Sequence, residues 1–431
     1  MRVLVLGAGA REHALFWSCL QSPEVTMVYA APGNGATAAL NASVRLDPKD
    51  PAAVLRAVGE LEIDLTVIGP DDVVAAGVAD ALEAAGKQVF GPTAAAGRVE
   101  SSKAFAKELM AAAGVPTGHA EVFADAAAAR DYARAQGTGL VVKADGLALG
   151  KGVLVCDDAD ATLAAVDRMM VERAFGEAGT RVLLEERLSG PELSLMCLCD
   201  GTIAVPLAPA RDYKRAGEGD TGPNTGGMGA CSPPSDAGPE TVARIVRECA
   251  EPLLAELARR GTPYRGCLYV QVMLTADGPK VVEYNARFGD PEAQVVLPRL
   301  RTDLVNLMLA CIRNHPGDHG RRGSREGLGA WSLDWDPRPR VGVVLASGGY
   351  PGKYETGKPI GGLVSLDPGV LPFHAGTRYE SGAYYTSGGR VLTLVAPGET
   401  VAEAREVAQR NAARVSFEGS FHRRDIAALE P

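Results

Sequence analysis

A lysine- and glycine-rich segment at 143–153, K-A-D-G-L-A-L-G-K-G-V, has the residue types that hold a phosphate chain. It is not a Walker A loop, because Gly150 follows Gly146 too closely and Gly152 replaces the Ser or Thr. A glycine hairpin loop between two strands can instead fold over a nucleotide and donate backbone N–H groups to phosphate oxygens. Lys143 on the incoming strand would add a point charge. The alternative is a flexible hairpin with surface lysines.

A second group of residues could bind a metal ion. Residues two apart on a strand share a face, so Glu283 and Asn285 should point the same way. A carboxylate and an amide oxygen are hard ligands that suit Mg²⁺, which usually shares its coordination shell with substrate phosphates. Arg287 would lie nearby and could neutralise charge on a transferring phosphoryl group. The alternative is an exposed polar face at the end of a hairpin.

Glycine is also concentrated between 217 and 229, after the basic segment R-D-Y-K-R at 211–215. The stretch contains more glycines than a simple connection needs. We therefore interpret it as a second element that binds phosphate or substrate.

The N-terminal segment G-A-G-A-R-E at 7–12 follows a predicted strand and opens a predicted helix, which is the geometry of a phosphate site at a helix N-terminus. A dinucleotide fingerprint needs a third glycine where this chain has Glu12, so an NAD or FAD site is disfavoured. Arg11 opposes the helix dipole and suggests an anionic ligand. A tight strand-to-helix turn with no ligand is the alternative.

Composition limits the class of protein. The 431 residues include 51 Gly and 28 Pro, an excess that belongs in turns and loops. A net charge of −9 disfavours general binding to nucleic acid or to an anionic membrane. We expect no signal peptide, because the apolar start is short and charged residues follow it, and no membrane span. The eight cysteines contain no C-x-x-C pair and indicate reduced thiols in a cytoplasmic protein.

Strands alternate with helices over the first hundred residues, which predicts parallel βαβ units and includes a helix over 73–85. A small α+β unit follows, then a hairpin through A-D-G at 276–278. Short strands dominate after 325, among them one at 362–365, and a helix over 400–416 ends the pattern.

The whole chain resembles the ATP-grasp ligases, and among them the family of phosphoribosylamine–glycine ligases. The lysine–glycine loop and the E-x-N strand are typical of ATP-grasp enzymes in general, whereas the R-D-x-K-R, G-P-N-T-G-G-M-G and N-x-R-F-G-D-P-E combination is specific to this family. The resemblance is carried by G-A-G-A-R-E-H-A-L (7–15), A-P-G-N-G (31–35), S-K-A-F-A-K (102–107), the loop at 143–153, R-D-Y-K-R (211–215), G-P-N-T-G-G-M-G-A (222–230), E-Y-N-A-R-F-G-D-P-E (283–292), A-S-G-G-Y-P (346–351) and F-H-A-G-T (373–377).

This resemblance implies an α/β and α+β multidomain fold. A Rossmann-like substrate-binding domain would span 1–101, and an ATP-grasp region 102–325, with a mobile lid at about 117–187. A small β-rich C-terminal domain would span 326–431. The implied reaction joins glycine to 5-phosphoribosylamine with ATP, through an acyl phosphate of glycine. ATP, Mg²⁺ or Mn²⁺, and a monomer or weak homodimer are expected.

The resemblance also assigns site residues. Lys214 and Arg287 would stabilise the transferring phosphoryl group, and Asp212 would belong to the same catalytic group. Glu283 and Asn285 would bind the metal. ATP would contact Lys103, Lys143, Gly146, Gly150, Lys151, Gly152, Glu185, Glu186, Leu188 and Glu192, with adenine at Glu185, Glu186 and Leu188 and the ribose at Glu192. The other substrates would contact Gly9, Arg11, Glu12, Asn34, Asn224, Gly226 and Asp290.

Three other functions stay open at this point. Another ATP-grasp carboxylate–amine ligase of purine synthesis would share the loop and the metal pair. A non-catalytic nucleotide-binding protein could keep the fold. An NAD oxidoreductase would need tight nicotinamide binding at Gly7–Gly9.

Overall fold

The computed structural model describes residues 1–146, 152–312, 327–428 and 430. Its first hundred residues form a parallel four-stranded sheet in the order Met27–Pro32, Arg2–Gly7, Leu65–Ile68, Val89–Phe90. The central strands are buried on both faces, as continuous apolar runs predict. The helices of this unit are Ala10–Leu20, Gly35–Ala39, Pro51–Glu60, Asp71–Ala75, Val78–Ala84 and Ala94–Ser101.

The prediction of one continuous helix over 73–85 is wrong. The segment is divided into Asp71–Ala75 and Val78–Ala84 by Gly77, whose φ of +75° lies in the left-handed region. Glycine adopts this conformation without the Cβ strain that other residues meet, so the chain turns there before it resumes a helix.

A small antiparallel sheet forms a unit with its own hydrophobic core. Its strand order is Ala120–Phe123, Val182–Glu185, Val141–Ala144, Val153–Val155. Two helices, Ala126–Gln136 and Ala159–Val166, cover it, and its buried apolar cluster runs from Ala129 to Leu184. The glycine-rich loop connects two neighbouring strands of this sheet, as the sequence predicts.

A second antiparallel sheet forms the centre of the molecule, in the order Ala204–Pro206, Glu192–Asp200, Arg265–Thr275, Gly278–Asn285. Its last two strands are the predicted hairpin. The surrounding helices are Lys103–Ala113, Pro239–Ile245, Glu251–Arg259, Glu292–Val296 and Leu304–Cys311.

The C-terminal sheet is built from distant parts of the chain. Arg211–Asp212 and Gly229–Ser232 pair beside Arg340–Ala346, which is followed in the sheet by Arg390–Pro397 and Leu371–His374. Two small hairpins, Arg215–Gly217 with Thr221–Asn224 and Thr377–Glu380 with Ala383–Thr386, and the helix Val401–Ala412 complete this part. The strand predicted at 362–365 is wrong, because Leu363–Ser365 is a single 3-10 turn after Gly362 at φ +86°.

All eight cysteines are buried free thiols, as predicted. Among the helices of the described ranges, none is both long enough and apolar enough to cross a membrane.

Candidate active site

The central hairpin ends in the predicted carboxylate–amide pair. Glu283 and Asn285 lie on the same face of the strand Gly278–Asn285, with Asn285 Nδ2 3.5 Å from Glu283 Oε1. Both side chains offer an oxygen to this face, which fits a hard divalent cation that takes its other ligands from phosphates and water.

Arg287 lies two residues beyond the strand Gly278–Asn285, which forms one edge of the central sheet. Its Nη2 atom donates to Asn285 Oδ1 at 3.0 Å and lies 3.0 Å from Glu100 Oε1. Burial acts to lower the pKa of Arg287, but the carboxylates of Glu100 and Asp71 outweigh it and raise the pKa. The guanidinium is therefore a fixed positive charge beside the carboxylate–amide pair.

Two predicted lysines approach this edge from the small sheet and from a helix. Lys143 is only 4% exposed, lies 2.6 Å from Glu185 Oε2 and donates to the Val282 carbonyl at 3.0 Å. Lys103 opens the helix Lys103–Ala113 and donates to the Gly146 carbonyl at 3.2 Å. Val282 precedes Glu283, so the Lys143 ammonium lies next to the strand end that carries Glu283 and Asn285.

The electrostatics of the two lysines indicate where an anion would bind. Burial and the like charge of Lys143 lower the pKa of Lys103, and the Glu283 carboxylate only partly opposes this shift. Two crowded ammonium groups next to a carboxylate gain from a polyanion that carries a metal ion. The arrangement therefore favours a phosphate chain between the lysines and Glu283.

The glycine-rich loop is described only at its ends. Ala144 donates to the Gly152 carbonyl at 2.8 Å, which closes the base of the loop. The Asp145 carboxylate accepts from Ser102 Oγ at 3.0 Å and from the Ala104 N–H at 3.1 Å, so this base is tied to the helix that carries Lys103. The predicted residues Gly150 and Lys151 lie outside the described residues.

Glu185 contacts lysines on both sides. The Lys107 ammonium is paired with Glu185 Oε1, while Lys143 is paired with Oε2. Nearby, the Glu186 N–H donates to the His119 carbonyl at 2.9 Å, its side chain is exposed, and Leu188 is half-buried. The contact of Glu185, Glu186 and Leu188 with adenine stays a prediction. What the structure shows is that Glu185 holds Lys143 through an ion pair.

A second charged group lies around Glu192, the first residue of the central strand Glu192–Asp200. Lys214 Nζ lies 2.7 Å from Glu192 Oε2 and 3.1 Å from Asp212 Oδ1. Burial acts to lower the pKa of Lys214, but the two carboxylates together raise it. Burial raises the pKa of Asp212 to about 7, against the pull of the Lys214 ammonium. Gln271, opposite Glu283 in the hairpin, donates to Glu192 at 2.5 Å.

The N-terminal glycine loop is already filled by a side chain of its own helix. Glu12 accepts from the Gly9 N–H at 2.7 Å and from Arg11 Nε at 2.5 Å. A Cβ on Gly69 would lie 2.3 Å from Glu12 Oε1, so the carboxylate also fills the space beside that glycine. Glu12 therefore occupies the helix N-terminus where a dinucleotide would place its pyrophosphate, which weighs against an NAD site.

The loop that carries Asn34 is held by the C-terminal part of the chain. Asn34 Nδ2 donates to the Ala8 carbonyl at 3.1 Å and to the His374 carbonyl at 2.7 Å. Thr377 Oγ1 accepts from the Gly35 N–H at 3.2 Å. The first glycine loop and the F-H-A-G-T segment are thus joined through Asn34.

Asp290 lies beside the first glycine loop, and Arg390 fixes it. A Cβ on Gly9 would lie 3.7 Å from Asp290 Oδ2, and Arg390 Nη2 lies 2.7 Å from that oxygen. Arg390 Nη1 also donates to the Gly226 carbonyl at 2.6 Å. Within the described residues, no hydrogen bond joins the side chain of Asn224 to this group; Asn224 ends a strand that pairs with Arg215.

Family models match most of the chain. The Phosphoribosylglycinamide synthetase N domain matches residues 1–100, its ATP-grasp (A) domain residues 101–293 and its C domain residues 340–429. A phosphoribosylamine–glycine ligase from Vibrio parahaemolyticus is 44% identical over 430 residues, which cover 99% of this chain and 97% of that protein.

The chain belongs to the phosphoribosylamine–glycine ligase family.

Further members agree with this assignment. The relative from Rhizobium meliloti is 45% identical over 426 residues, covering 99% of this chain and 98% of its own. The crystal structure of the Thermotoga maritima phosphoribosylamine–glycine ligase has a TM-score of 0.84 and 34% identity, and covers 99% of this chain and all of its own. The predicted fold class and family are confirmed.

Several residues that build the site of this family member were missed by the sequence reasoning. Glu100 contacts Arg287, and Arg390 contacts Asp290. Lys107 contacts Glu185, and Gln271 contacts Glu192. Lys107 and the F-H-A-G-T segment stand inside motifs that carry the resemblance, which is a usable signal. Glu100 has only its closeness to S-K-A-F-A-K, Gln271 has its place on the predicted hairpin strand that pairs with Glu283, and Arg390 has no signal in the sequence.

Proposed function

We propose that this chain joins glycine to 5-phosphoribosylamine in an ATP-dependent reaction that yields glycinamide ribonucleotide, ADP and phosphate. The observation that carries the proposal is that Lys103 and Lys143 lie beside the Glu283–Asn285 pair and Arg287, at one edge of the central sheet. Membership of the phosphoribosylamine–glycine ligase family supports the choice of substrates.

The nucleotide would lie between the small sheet and the central sheet. Lys103 and Lys143 would hold its phosphates, with Gly146 and Gly152, the described ends of the glycine-rich loop, close to Lys103 and Lys143. Glu185 keeps Lys143 in place through their 2.6 Å ion pair. On the ribose side, Glu192 would accept from the sugar hydroxyls, and the adenine would lie along Glu185, Glu186 and Leu188.

Glu283 and Asn285 would hold Mg²⁺ or Mn²⁺. When bound, the ion would neutralise charge on the phosphates and orient them. Within the described part of the chain no three acidic, His or Cys side chains form a metal cluster, so a site with two protein ligands that shares the ion with ATP fits these residues.

In the first step an oxygen of the glycine carboxylate attacks the γ-phosphorus of ATP. The bond from that phosphorus to the β-γ bridging oxygen breaks, ADP leaves, and glycyl phosphate forms. Arg287 and Lys214 would stabilise the charge on the equatorial oxygens during this transfer. Asp212 holds Lys214 at 3.1 Å and so fixes the direction of its ammonium.

In the second step the amine of phosphoribosylamine attacks the carbonyl carbon of glycyl phosphate. The carbon–oxygen bond to phosphate breaks, phosphate leaves, and the nitrogen loses a proton to give the amide. The ribosylamine would lie in a cleft formed by Gly9, Arg11, Glu12, Asn34, Asn224, Gly226 and Asp290. Since Glu12 fills the helix N-terminus, its carboxylate would face sugar hydroxyls, and the phosphate would lie elsewhere in the cleft.

Substrate dependence tests the proposal. ADP and glycinamide ribonucleotide should form in equal amounts, measured by a coupled assay and by mass spectrometry, only when glycine, phosphoribosylamine and ATP are all present. Equal turnover with a different carboxylate in place of glycine would instead favour another ATP-grasp ligase of purine synthesis.

A further inference from the structure

We propose that Glu100 is a positioning residue of this active site, which fixes Arg287 and the peptide that follows Asn285. This inference rests on the proposed function for its kinetic readout. Glu100 lies near the end of the helix Ala94–Ser101, three residues before Lys103.

One carboxylate contacts two consecutive residues. Glu100 Oε1 lies 3.0 Å from Arg287 Nη2, and Glu100 Oε2 accepts the Ala286 N–H at 2.6 Å. Its side chain is 9% exposed, so both contacts are shielded from water and are charge-assisted. Glu100 therefore sets the position of the backbone on one side of Ala286 and of the guanidinium on the other.

The same contact governs access to the amide of Asn285. Arg287 Nη2 is shared, because it lies 3.0 Å from Asn285 Oδ1 as well as 3.0 Å from Glu100. A metal ion that takes the same lone pair of the Asn285 oxygen displaces this hydrogen bond. With Glu100 present, Arg287 keeps a charged partner when it releases Asn285. Without Glu100, the displacement would leave the buried guanidinium with the neutral Phe288 carbonyl, 3.1 Å from Nη1, in place of a carboxylate partner.

Glu100 also lies close in the chain to the residue that caps the helix of Lys103. Ser102, two residues on, caps the helix of Lys103 through its hydroxyl, which accepts from the Phe105 N–H at 3.2 Å. One short segment thus fixes Arg287 by Glu100 and Lys103 by the start of the next helix. The spacing between the phosphate-binding ammonium and the guanidinium is set by this segment.

The test compares Glu100→Gln, which keeps the size of the side chain, with the matched control Glu108→Gln. Glu108 is exposed and paired with Arg260 at 2.7 Å on the outer surface. We expect kcat of Glu100→Gln to fall about 10–100-fold and the affinity for Mn²⁺ in the presence of ADP, measured by EPR, to weaken about tenfold or more. The KM for ATP should stay within twofold, and the control should match wild type in every readout.

A double-mutant cycle separates positioning from general packing. If Glu100 acts mainly through Arg287, the double variant Glu100→Gln/Arg287→Lys should be slower than Arg287→Lys by much less than the loss in Glu100→Gln alone, because only the contact with the Ala286 N–H is then left to lose. Multiplied losses in the double variant, or an unchanged kcat and Mn²⁺ affinity in folded Glu100→Gln, would overturn the inference.

Folding is checked by ADP affinity and thermal unfolding. If Glu100→Gln does not fold, Glu100→Asp, which keeps the charge and shortens the reach, takes its place with the same expected losses and the same contrary results. If wild-type enzyme makes no glycinamide ribonucleotide, the proposed function fails, and the Mn²⁺ affinity of the Glu100 variant against the Glu108 control still decides this inference.

Discussion

Arg390 on the C-terminal sheet holds the carboxylate of Asp290 through an ion pair of 2.7 Å, across one hundred residues of chain. Burial acts to raise the pKa of Asp290, but the positive charges of Arg390 and Arg11 outweigh it and lower the pKa. The same guanidinium donates to the carbonyls of Gly226 and Asp290 at 2.6 and 3.0 Å. The C-terminal sheet therefore fixes two segments predicted to bind the ribosylamine.

Replacing Arg390 by Lys should weaken binding of glycinamide ribonucleotide, measured by calorimetry, by at least tenfold. A lysine cannot reproduce the forked contact with Asp290 and the Gly226 carbonyl. The affinity for ADP should be unchanged, because the described contacts of Lys103 and Lys143 include neither Arg390 nor Asp290. Arg378→Lys is the control, since Arg378 is exposed and paired only with Glu380 and Tyr385 among its described contacts. If Arg390→Lys binds glycinamide ribonucleotide as tightly as wild type does, Arg390 has no role in the binding of this product.

Glu283→Ala should abolish ligase activity and leave the fold intact. The variant removes the only carboxylate of the proposed metal pair, while the backbone pairing of Gln271 with Glu283 in the hairpin needs no side chain. Activity, Mn²⁺ affinity and circular dichroism would be measured beside Glu62→Ala, an exposed control paired with Arg2. Near-normal turnover would exclude Glu283 as a metal ligand.

Lys143→Met should raise the KM for ATP at least tenfold, because it removes a buried charge at the proposed phosphate site. The free energy of unfolding should fall by roughly 1–3 kcal/mol, a loss limited by Lys107, which still pairs with Glu185. Steady-state kinetics and urea unfolding check the two effects, with Lys49→Met as an exposed control. An unchanged KM would show that Lys143 serves Glu185 alone.

Local patterns predicted the placement of candidate residues where these follow one strand. The alternation of side chains along Gly278–Asn285 placed Glu283 and Asn285 on one face, and the structure confirms it. The parallel N-terminal sheet and the hairpin were also predicted, because their apolar periods and turn residues are local signals.

Contacts between distant segments could not be predicted in this way. The pairing of Gly229–Ser232 with Arg340–Ala346, the use of Glu185 by two lysines, and the filling of the first glycine loop by Glu12 all depend on tertiary packing. Glu185 has the same sequence signal whether it faces adenine or lysine. Only the positions of Lys107 and Lys143 distinguish the two.

Acidification should destabilise the contact between His13, in the helix Ala10–Leu20, and His374, in the strand Leu371–His374. Burial lowers the pKa of His374 to about 4 and that of His13, which also faces His374, to about 3, from 6.5. The unfolded chain therefore takes up protons first, so the stability that depends on these groups is full above pH 6.5 and is lost as the pH falls towards 4.

His374→Asn should reduce this dependence. Between pH 7.5 and 5 the variant should lose about 1–2 kcal/mol less unfolding free energy than wild type, measured with urea. His119→Asn, at an exposed position, should follow wild type. Identical losses in all three proteins would contradict the assignment of a buried neutral His374.

Transfer of oxygen from glycine to phosphate tests the central claim most directly. Glycine labelled with ¹⁸O in its carboxylate would be incubated with ATP, phosphoribosylamine and the enzyme, and the released phosphate analysed by mass spectrometry. Each released phosphate should contain one ¹⁸O atom, because the attacking oxygen stays on phosphorus when the amine displaces it. Phosphate without label, formed together with glycinamide ribonucleotide, would contradict activation of glycine as an acyl phosphate.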